Sequence, residues 1–184
     1  MIKNMLTKAD LQYLLTQQEK LDKDIREKKG ITLHDWNIEL NRKHFKAMKI
    51  ETAEFVNEMH DVWKYWKDKP VDKNKILDEG VDVIHFCCLI INKTGRIVDS
   101  VETKLLDEIN LVASWYEFEK MKADDEEEVI NGLQDDMLSK IVDVYEYFAH
   151  VLILLGLYGF TSKDIIDQYN IKNKENFRRL ESGY

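Results

Sequence analysis

Glu51-Thr-Ala-Glu54 and Glu79-Gly-Val-Asp82 are two tetrads that each place two acids three residues apart. If each tetrad is helical, its two carboxylates lie on one face of the helix. The 24 residues between Glu54 and Glu79 include Asp68-Lys-Pro-Val-Asp72, where a proline interrupts the helical pattern. A short connection makes long helices antiparallel neighbours, so the sequence predicts a helical hairpin with four carboxylates facing one pocket.

The second tetrad begins a segment that is apolar on nearly every side. From Val81 to Ile91 the sequence reads Val-Asp-Val-Ile-His-Phe-Cys-Cys-Leu-Ile-Ile, which predicts a buried helix. Because an unpaired buried carboxylate is strongly unfavourable, Asp82 should be protonated, paired with a cation or bound to a metal. A divalent cation would keep all four acids ionised, and all-oxygen ligation favours magnesium or manganese. The alternatives are a buried ion pair with Lys or Arg for the second tetrad and a solvated helix face for the first.

The composition is typical of a helical protein. The 184 residues include one proline and seven glycines, and are 44% hydrophobic and 34% charged. The net charge of -8 disfavours duplex nucleic acid as a partner, because phosphate neutralisation needs a basic face. No apolar run reaches membrane-spanning length, and the adjacent Cys87 and Cys88 are best explained as core thiols in a reducing compartment. We therefore expect a cytoplasmic protein with no nucleic-acid or membrane partner.

The hydrophobic periodicity predicts an all-α bundle of about six helices in a single domain, residues 1–184. Gly95 is expected to end the third helix, and Asp99 or Ser100 to begin the fourth. The helices are expected over about residues 7–28, 35–67, 74–93, 99–122 and 128–157, and from about residue 161 onward.

Polar side chains on apolar helix faces are the next candidates for a site. Gln18 and Asp22 fall on or beside the apolar stripe of the first predicted helix. A buried amide can bind a polar ligand through both donor and acceptor, although Gln18 could equally sit at the rim of the core. His85 could bind a ligand hydroxyl and Phe86 could stack on a ring. A histidine on an apolar face is, however, more often a core residue.

The last predicted helix is basic and amide-rich in an otherwise acidic chain. Its Lys172, Lys174, Arg178 and Arg179 could bind a polyphosphate, and a frayed basic terminus is the alternative.

Together these stretches resemble the dimeric, all-α dUTPases, a branch of the MazG-like nucleotide pyrophosphohydrolases, over most of the chain. The superfamily signature, Glu-x-x-Glu followed at hairpin spacing by Glu-x-x-Asp, is similar to Glu51, Glu54, Glu79 and Asp82. More specific motifs resemble the dUTPase branch alone: Gln18-x-x-Leu21-Asp22, Trp63-Lys-Tyr-Trp66-Lys67, Asp82-Val-Ile-His85-Phe86 and Lys172-Asn173-x-x-Asn176-x-x-Arg179. Two positions depart from the family pattern, with Leu180 where Gln is usual and Asp22 where longer members have Asn.

The resemblance implies hydrolysis of dUTP, and of dUDP as a second substrate, to dUMP. It implies two or more magnesium ions, with manganese as the alternative, bound by the four acids, and Glu51 orienting or deprotonating the attacking water. The implied substrate-binding residues are Gln18 and Asp22 at the base, Trp63 and Phe86 around it, His85 near the sugar, and Lys172, Asn173, Asn176 and Arg179 on the phosphates. Lys67, in the same motif as Trp63, is implied to bind the substrate as well.

The resemblance also implies a homodimer, and a protein regulator is a further candidate partner because the family is often phage-encoded. Two alternative functions remain open at this point. One is a MazG-like pyrophosphohydrolase of broader specificity. The other is a non-enzymatic helical interaction protein whose acids are structural.

Overall fold

A computed structural model of the chain describes residues 6–94, 101–123, 125–139 and 143–183. These ranges contain helices and no strand, which confirms the all-α prediction. The α-helices are α1 (Lys8–Lys29), α2 (Asn41–Glu58), α3 (Lys73–Thr94), α4 (Val101–Lys122), α5 (Glu126–Ser139), α6 (Val144–Leu157) and α7 (Ser162–Ser182).

Helices α1 and α7 begin where the sequence predicts. Thr7 and Thr161 each form a capping box, in which the threonine hydroxyl accepts from the backbone N–H three residues on. The acid at that position, Asp10 or Asp164, accepts from the threonine N–H in return. Gly30 ends α1 with a φ of 63°, in the left-handed region that glycine adopts without strain.

Helix α2 ends at Glu58 rather than continuing to Lys67 as predicted. Met59 leaves the helical conformation, with φ -84° and ψ 48°, and a short 3-10 turn follows at His60–Val62. The side chain of Met59 is fully buried, so the chain bends here to place it in the core. The beginning also differs, because the predicted first turn is a π-turn at Asp35–Glu39 that precedes α2.

The predicted fifth helix, residues 128–157, is two helices in the described structure, α5 and α6. Asp143 has an extended conformation, with φ -52° and ψ 137°, and its carboxylate caps α6 by accepting from the Tyr145 N–H at 3.0 Å. The expected helix end at Gly95 and the expected start at Asp99 or Ser100 lie outside the described residues.

The core is built around α6, in which every side chain from Tyr147 to Leu155 is buried. Helix α3 packs against α1, α2, α6 and α7, and it therefore brings residues from four neighbours together. Within the described ranges no single helix has the length and apolarity needed to span a membrane. Helices α6 and α7, bent by 114°, meet those two criteria only when taken together.

Candidate active site

Helices α2 and α3 bring three of the four predicted acids together. One carboxylate oxygen from each of Glu51, Glu79 and Asp82 lies within 4.8 Å of the other two. We call these residues the carboxylate triad. All three side chains are half-buried, so the predicted helical hairpin does gather acids at one point.

Glu54, the fourth predicted acid, lies outside the triad. Its side chain is exposed, although it is close enough to raise the pKa values of Glu51 and Glu79. The structure therefore places Glu54 at the edge of the cluster, on the solvent side.

Lys172 of α7 lies against the triad. Its Nζ is 2.6 Å from a carboxylate oxygen of Asp82 and 2.6 Å from one of Asp78. The expected phosphate-binding lysine is thus paired with carboxylates, and the ion pair considered for Asp82 is present, between two half-buried side chains. Across the described ranges, no hydrogen bond or ion pair reaches Glu51 or Glu79, so two of the three triad acids lack a direct countercharge.

The triad acids bind protons more tightly than ordinary carboxylates. Burial, and then the negative charges of Asp82, Glu54 and Glu79, raise the pKa of Glu51 to about 7. Burial also raises the pKa values of Glu79 and Asp82, the latter despite its contact with Lys172. A cation placed between the three acids would relieve this repulsion, so the arrangement is suited to binding positive charge.

A cavity of about 430 Å³ connects the triad with residues of α1 and α7. Its walls include Glu51 and Asp82 from the triad. The other predicted site residues in its walls are Gln18, Asp22, His85, Phe86, Asn176 and Arg179, and the apolar part includes Leu21, Ile25, Leu89 and Leu180.

A buried hydrogen-bond network forms one wall of this cavity. Gln18 donates from Nε2 to Asp22 Oδ1 at 2.8 Å, and its Oε1 accepts from His85 Nδ1 at 2.7 Å. The hydroxyl of Tyr169 donates to the same Oε1 at 3.1 Å, and its ring stacks on His85 with centroids 4.0 Å apart. These contacts hold His85 with Nδ1 protonated, which leaves Nε2 as an acceptor.

A triad of acids beside a polar-walled cavity does not by itself identify an activity. A family model described as dUTPase matches residues 10–184, nearly the whole chain. The chain belongs to this dUTPase family. A comparison with curated proteins gives no match.

Membership of the dUTPase family implies hydrolysis of dUTP and dependence on a metal ion. The residues of this chain fit such an ion. The triad offers an all-oxygen donor set of the kind that divalent hard cations prefer. Among the described residues two of its acids, Glu51 and Glu79, lack a direct countercharge, and burial, followed by the neighbouring carboxylates, raises their pKa values.

Four predicted substrate-binding residues of the dUTPase do not line the cavity: Lys172, which lies against the triad, and three others. Trp63 lies beyond the end of α2, where its Nε1 donates to the Val56 carbonyl at 3.2 Å, and Lys67 is exposed in the following segment. Asn173 is 7% exposed on α7, and its Oδ1 has no hydrogen-bond partner among the described residues. The described chain therefore gives these three residues no contact with the cavity.

Two residues of the site were missed by the sequence reasoning. Tyr169 lies one turn before Asn173 on the buried face of α7, a helical spacing that could have identified it. Asp78 lies one turn before Asp82 on α3 and accepts from Gln168 Nε2 at 2.6 Å as well as from Lys172. Its spacing of four residues from Asp82, a predicted metal ligand, places both acids on one helix face and could have identified Asp78.

Proposed function

We propose that this dUTPase hydrolyses both dUTP and dUDP to dUMP, with water attacking at the carboxylate triad. The observation that carries the proposal is that one cavity is walled by triad acids and by the buried polar network of α1, α3 and α7. The phosphates would lie at the acids and the base at the network. This arrangement matches the two chemically different ends of a pyrimidine nucleotide.

Glu51, Glu79 and Asp82 would hold two or more magnesium ions, with Glu54 joining them from the edge of the cluster. When bound, such ions would neutralise phosphate charge and make the attacking water more acidic. Magnesium, rather than a softer metal, is proposed because the triad offers carboxylate oxygens only.

Glu51 is proposed as the residue that orients the water and accepts its proton. It lines the cavity, and burial together with its negatively charged neighbours raises its pKa, which makes it a stronger base than an ordinary carboxylate. Arg179 and Asn176 line the same cavity and are placed to bind phosphate oxygens. Lys172 lies on Asp82 and would contact a phosphate that approaches the triad.

Attack at the β-phosphorus would explain why dUTP and dUDP both yield dUMP, because dUMP is then the leaving group in each reaction. The attacking oxygen would join pyrophosphate from dUTP, or phosphate from dUDP. Hydrolysis in ¹⁸O-labelled water should therefore place the label in the inorganic product. Label in dUMP would instead show attack at the α-phosphorus.

The assay for the proposed function is release of dUMP from dUTP by the purified protein with magnesium. Glu51→Gln should lower kcat by at least about 100-fold, because loss of a general base typically has an effect of 10²–10⁴-fold. Glu54→Gln should also abolish turnover if Glu54 joins the metal site. The matched control is Glu58→Gln, on the same helix but outside the triad and the cavity, which should keep kcat within about twofold.

Other outcomes distinguish the alternative functions. Equal turnover of all nucleoside triphosphates would favour a broad MazG-like pyrophosphohydrolase. No turnover of any nucleotide, with no thermal shift on adding magnesium and a non-hydrolysable dUTP analogue, would favour a helical interaction protein.

We also propose a single domain over residues 1–184, a homodimer, a cytoplasmic location and a protein regulator. Sedimentation of the purified protein tests the dimer directly.

A further inference from the structure

Two buried polar atoms in the cavity wall have no hydrogen-bond partner among the described residues: Asp22 Oδ2 and His85 Nε2. The two residues are 0% and 4% exposed, respectively. An unpaired polar atom at such depth is destabilising, so a ligand that supplies its partner gains the corresponding hydrogen bond. The unpaired atoms therefore mark where a bound molecule is recognised.

Gln18 orients this wall, and most of its own hydrogen-bonding capacity is already used. Its Oε1 accepts from both His85 and Tyr169, and one of its two N–H groups donates to Asp22 Oδ1. The carboxyl group of Asp22 is thereby fixed with Oδ1 occupied and Oδ2 unpaired. Asp22, which keeps an unpaired oxygen, is therefore better placed than Gln18 to distinguish between ligands.

Burial strongly favours the neutral form of Asp22. It raises the pKa of the carboxyl to about 7, against a smaller opposing effect of the Gln18 hydrogen bond. The charged and titratable groups around Asp22 are Glu19 and Arg26 from α1, His85, Cys88 and Lys93 from α3, and Tyr169 from α7. The walls of the same cavity add Lys29 of α1, Glu51 of α2, Asp82 of α3 and Arg179 of α7.

We propose that Asp22, acting as a neutral carboxylic acid, is a specificity-determining residue that selects uracil over cytosine by donating a hydrogen bond from Oδ2 to the C4 carbonyl, which cytosine replaces by an amino group. This inference rests on the proposed function, since it concerns the base end of the same site. In this proposal the protonation state of Asp22 decides which base is preferred. An asparagine at this position would offer an N–H donor at every pH, whereas Asp22 offers a donor only while it is protonated.

The chemistry of the two bases explains the selection. Uracil presents carbonyl oxygens on both sides of its ring N–H, and a protonated Asp22 donates to such an oxygen. Cytosine replaces one carbonyl by an amino group, which donates and would face the donor of a protonated Asp22. An ionised Asp22 has only acceptors, so it repels a carbonyl and suits the amino group instead. Loss of one proton therefore exchanges the preferred base.

The test is competitive hydrolysis of dUTP and dCTP by the whole protein, with magnesium, from about pH 6 to about pH 8, a range centred on the pKa of about 7. Taking the ratio of the two kcat/KM values cancels the effects of pH on the attacking water and on the triad acids, because these effects are the same for both substrates. For the wild type this ratio should fall by at least about tenfold as the pH rises over that range.

The Asp22→Asn variant should show a ratio that does not change with pH, because its amide does not titrate. Asp24→Asn, an exposed change two residues along α1, should follow the wild-type profile. Parallel profiles for the wild type and Asp22→Asn would overturn the proposal. Absence of hydrolysis of either nucleotide at every pH would instead refute the proposed function itself.

A binding measurement on the wild type alone covers the case in which Asp22→Asn does not fold. Calorimetric titration with dUMP at about pH 8, in buffers of different ionisation enthalpy, should show uptake of close to one proton per site, because binding restores the protonated form. Titration with dCMP should show none. Binding of dUMP without proton uptake would overturn the role given to Asp22.

Discussion

Replacement of Asp22 by asparagine should make the stability of the dUTPase less dependent on pH. The carboxyl of Asp22 is fully buried, and its pKa is raised from 3.8 to about 7 in the folded protein. Between these two values the folded protein holds a proton that the unfolded chain has released. Stability therefore falls as the pH rises through this window and becomes level above about pH 7.

The expected loss of unfolding free energy follows from the part of this pH interval that an experiment can cover. From about pH 5.5 to about pH 7 the titration of Asp22 alone should lower the stability of the wild type by about 2 kcal/mol, at about 1.4 kcal/mol for each pH unit. Asparagine does not titrate, so the variant should lose none of this. Its buried amide leaves an N–H unpaired, which lowers stability by about 1–3 kcal/mol at every pH and cancels when the two pH values are compared.

The assay is urea unfolding of both proteins, without metal, at about pH 5.5 and about pH 8.5. The free energy of unfolding of the wild type should fall by about 2 kcal/mol more than that of Asp22→Asn over this interval. The exposed Asp24→Asn change serves as control and should behave as the wild type does. Equal pH dependence of the wild type and Asp22→Asn would refute the conclusion that Asp22 is buried as a neutral acid.

Three further predictions follow from the helix packing and the triad. Gly80→Ala should lower both Tm and kcat, because a Cβ would lie 2.9 Å from the buried Leu155 side chain, an overpacking of about 1–3 kcal/mol beside the triad; Gly132→Ala, which meets nothing within 4 Å, should not lower Tm. Cys87 and Cys88 should react with a thiol reagent only after unfolding, since burial raises both thiol pKa values, and rapid labelling of the native protein would contradict this. Magnesium should raise Tm more at about pH 8 than at about pH 6, because protons compete for acids such as Glu51, whose pKa is about 7; a larger shift at the lower pH would contradict it.

The sequence was sufficient where local chemistry and burial agree. The capping residues Thr7 and Thr161 predicted the starts of α1 and α7. The spacing of the acids predicted a cluster of four carboxylates, of which Glu51, Glu79 and Asp82 meet. The family resemblance was confirmed by the match to the dUTPase model over residues 10–184. For the two caps, the signal lies within a few residues of the helix start that it predicts.

The sequence was insufficient where tertiary packing decides the structure. The end of α2 at Glu58 has no glycine or proline to mark it, and the bend follows from burial of Met59. The pairing of Lys172 with Asp78 and Asp82 joins α7 to α3, residues about 90 positions apart, and no local pattern predicts such a contact. The exposed position of Glu54 likewise depends on how α2 rotates against α3, which helical spacing alone leaves open.

The enclosure of α6 by its neighbours has a consequence for how the molecule opens. Solvent reaches the backbone amides of α6 only when α3 and α4 separate from this helix, and that separation unfolds the core. Amide hydrogen exchange in α6 should thus report the global free energy of unfolding, whereas the exposed segment from Lys67 to Lys69 should exchange within seconds to minutes. The dUTPase would then have a slowly exchanging centre bordered by regions that open independently of it.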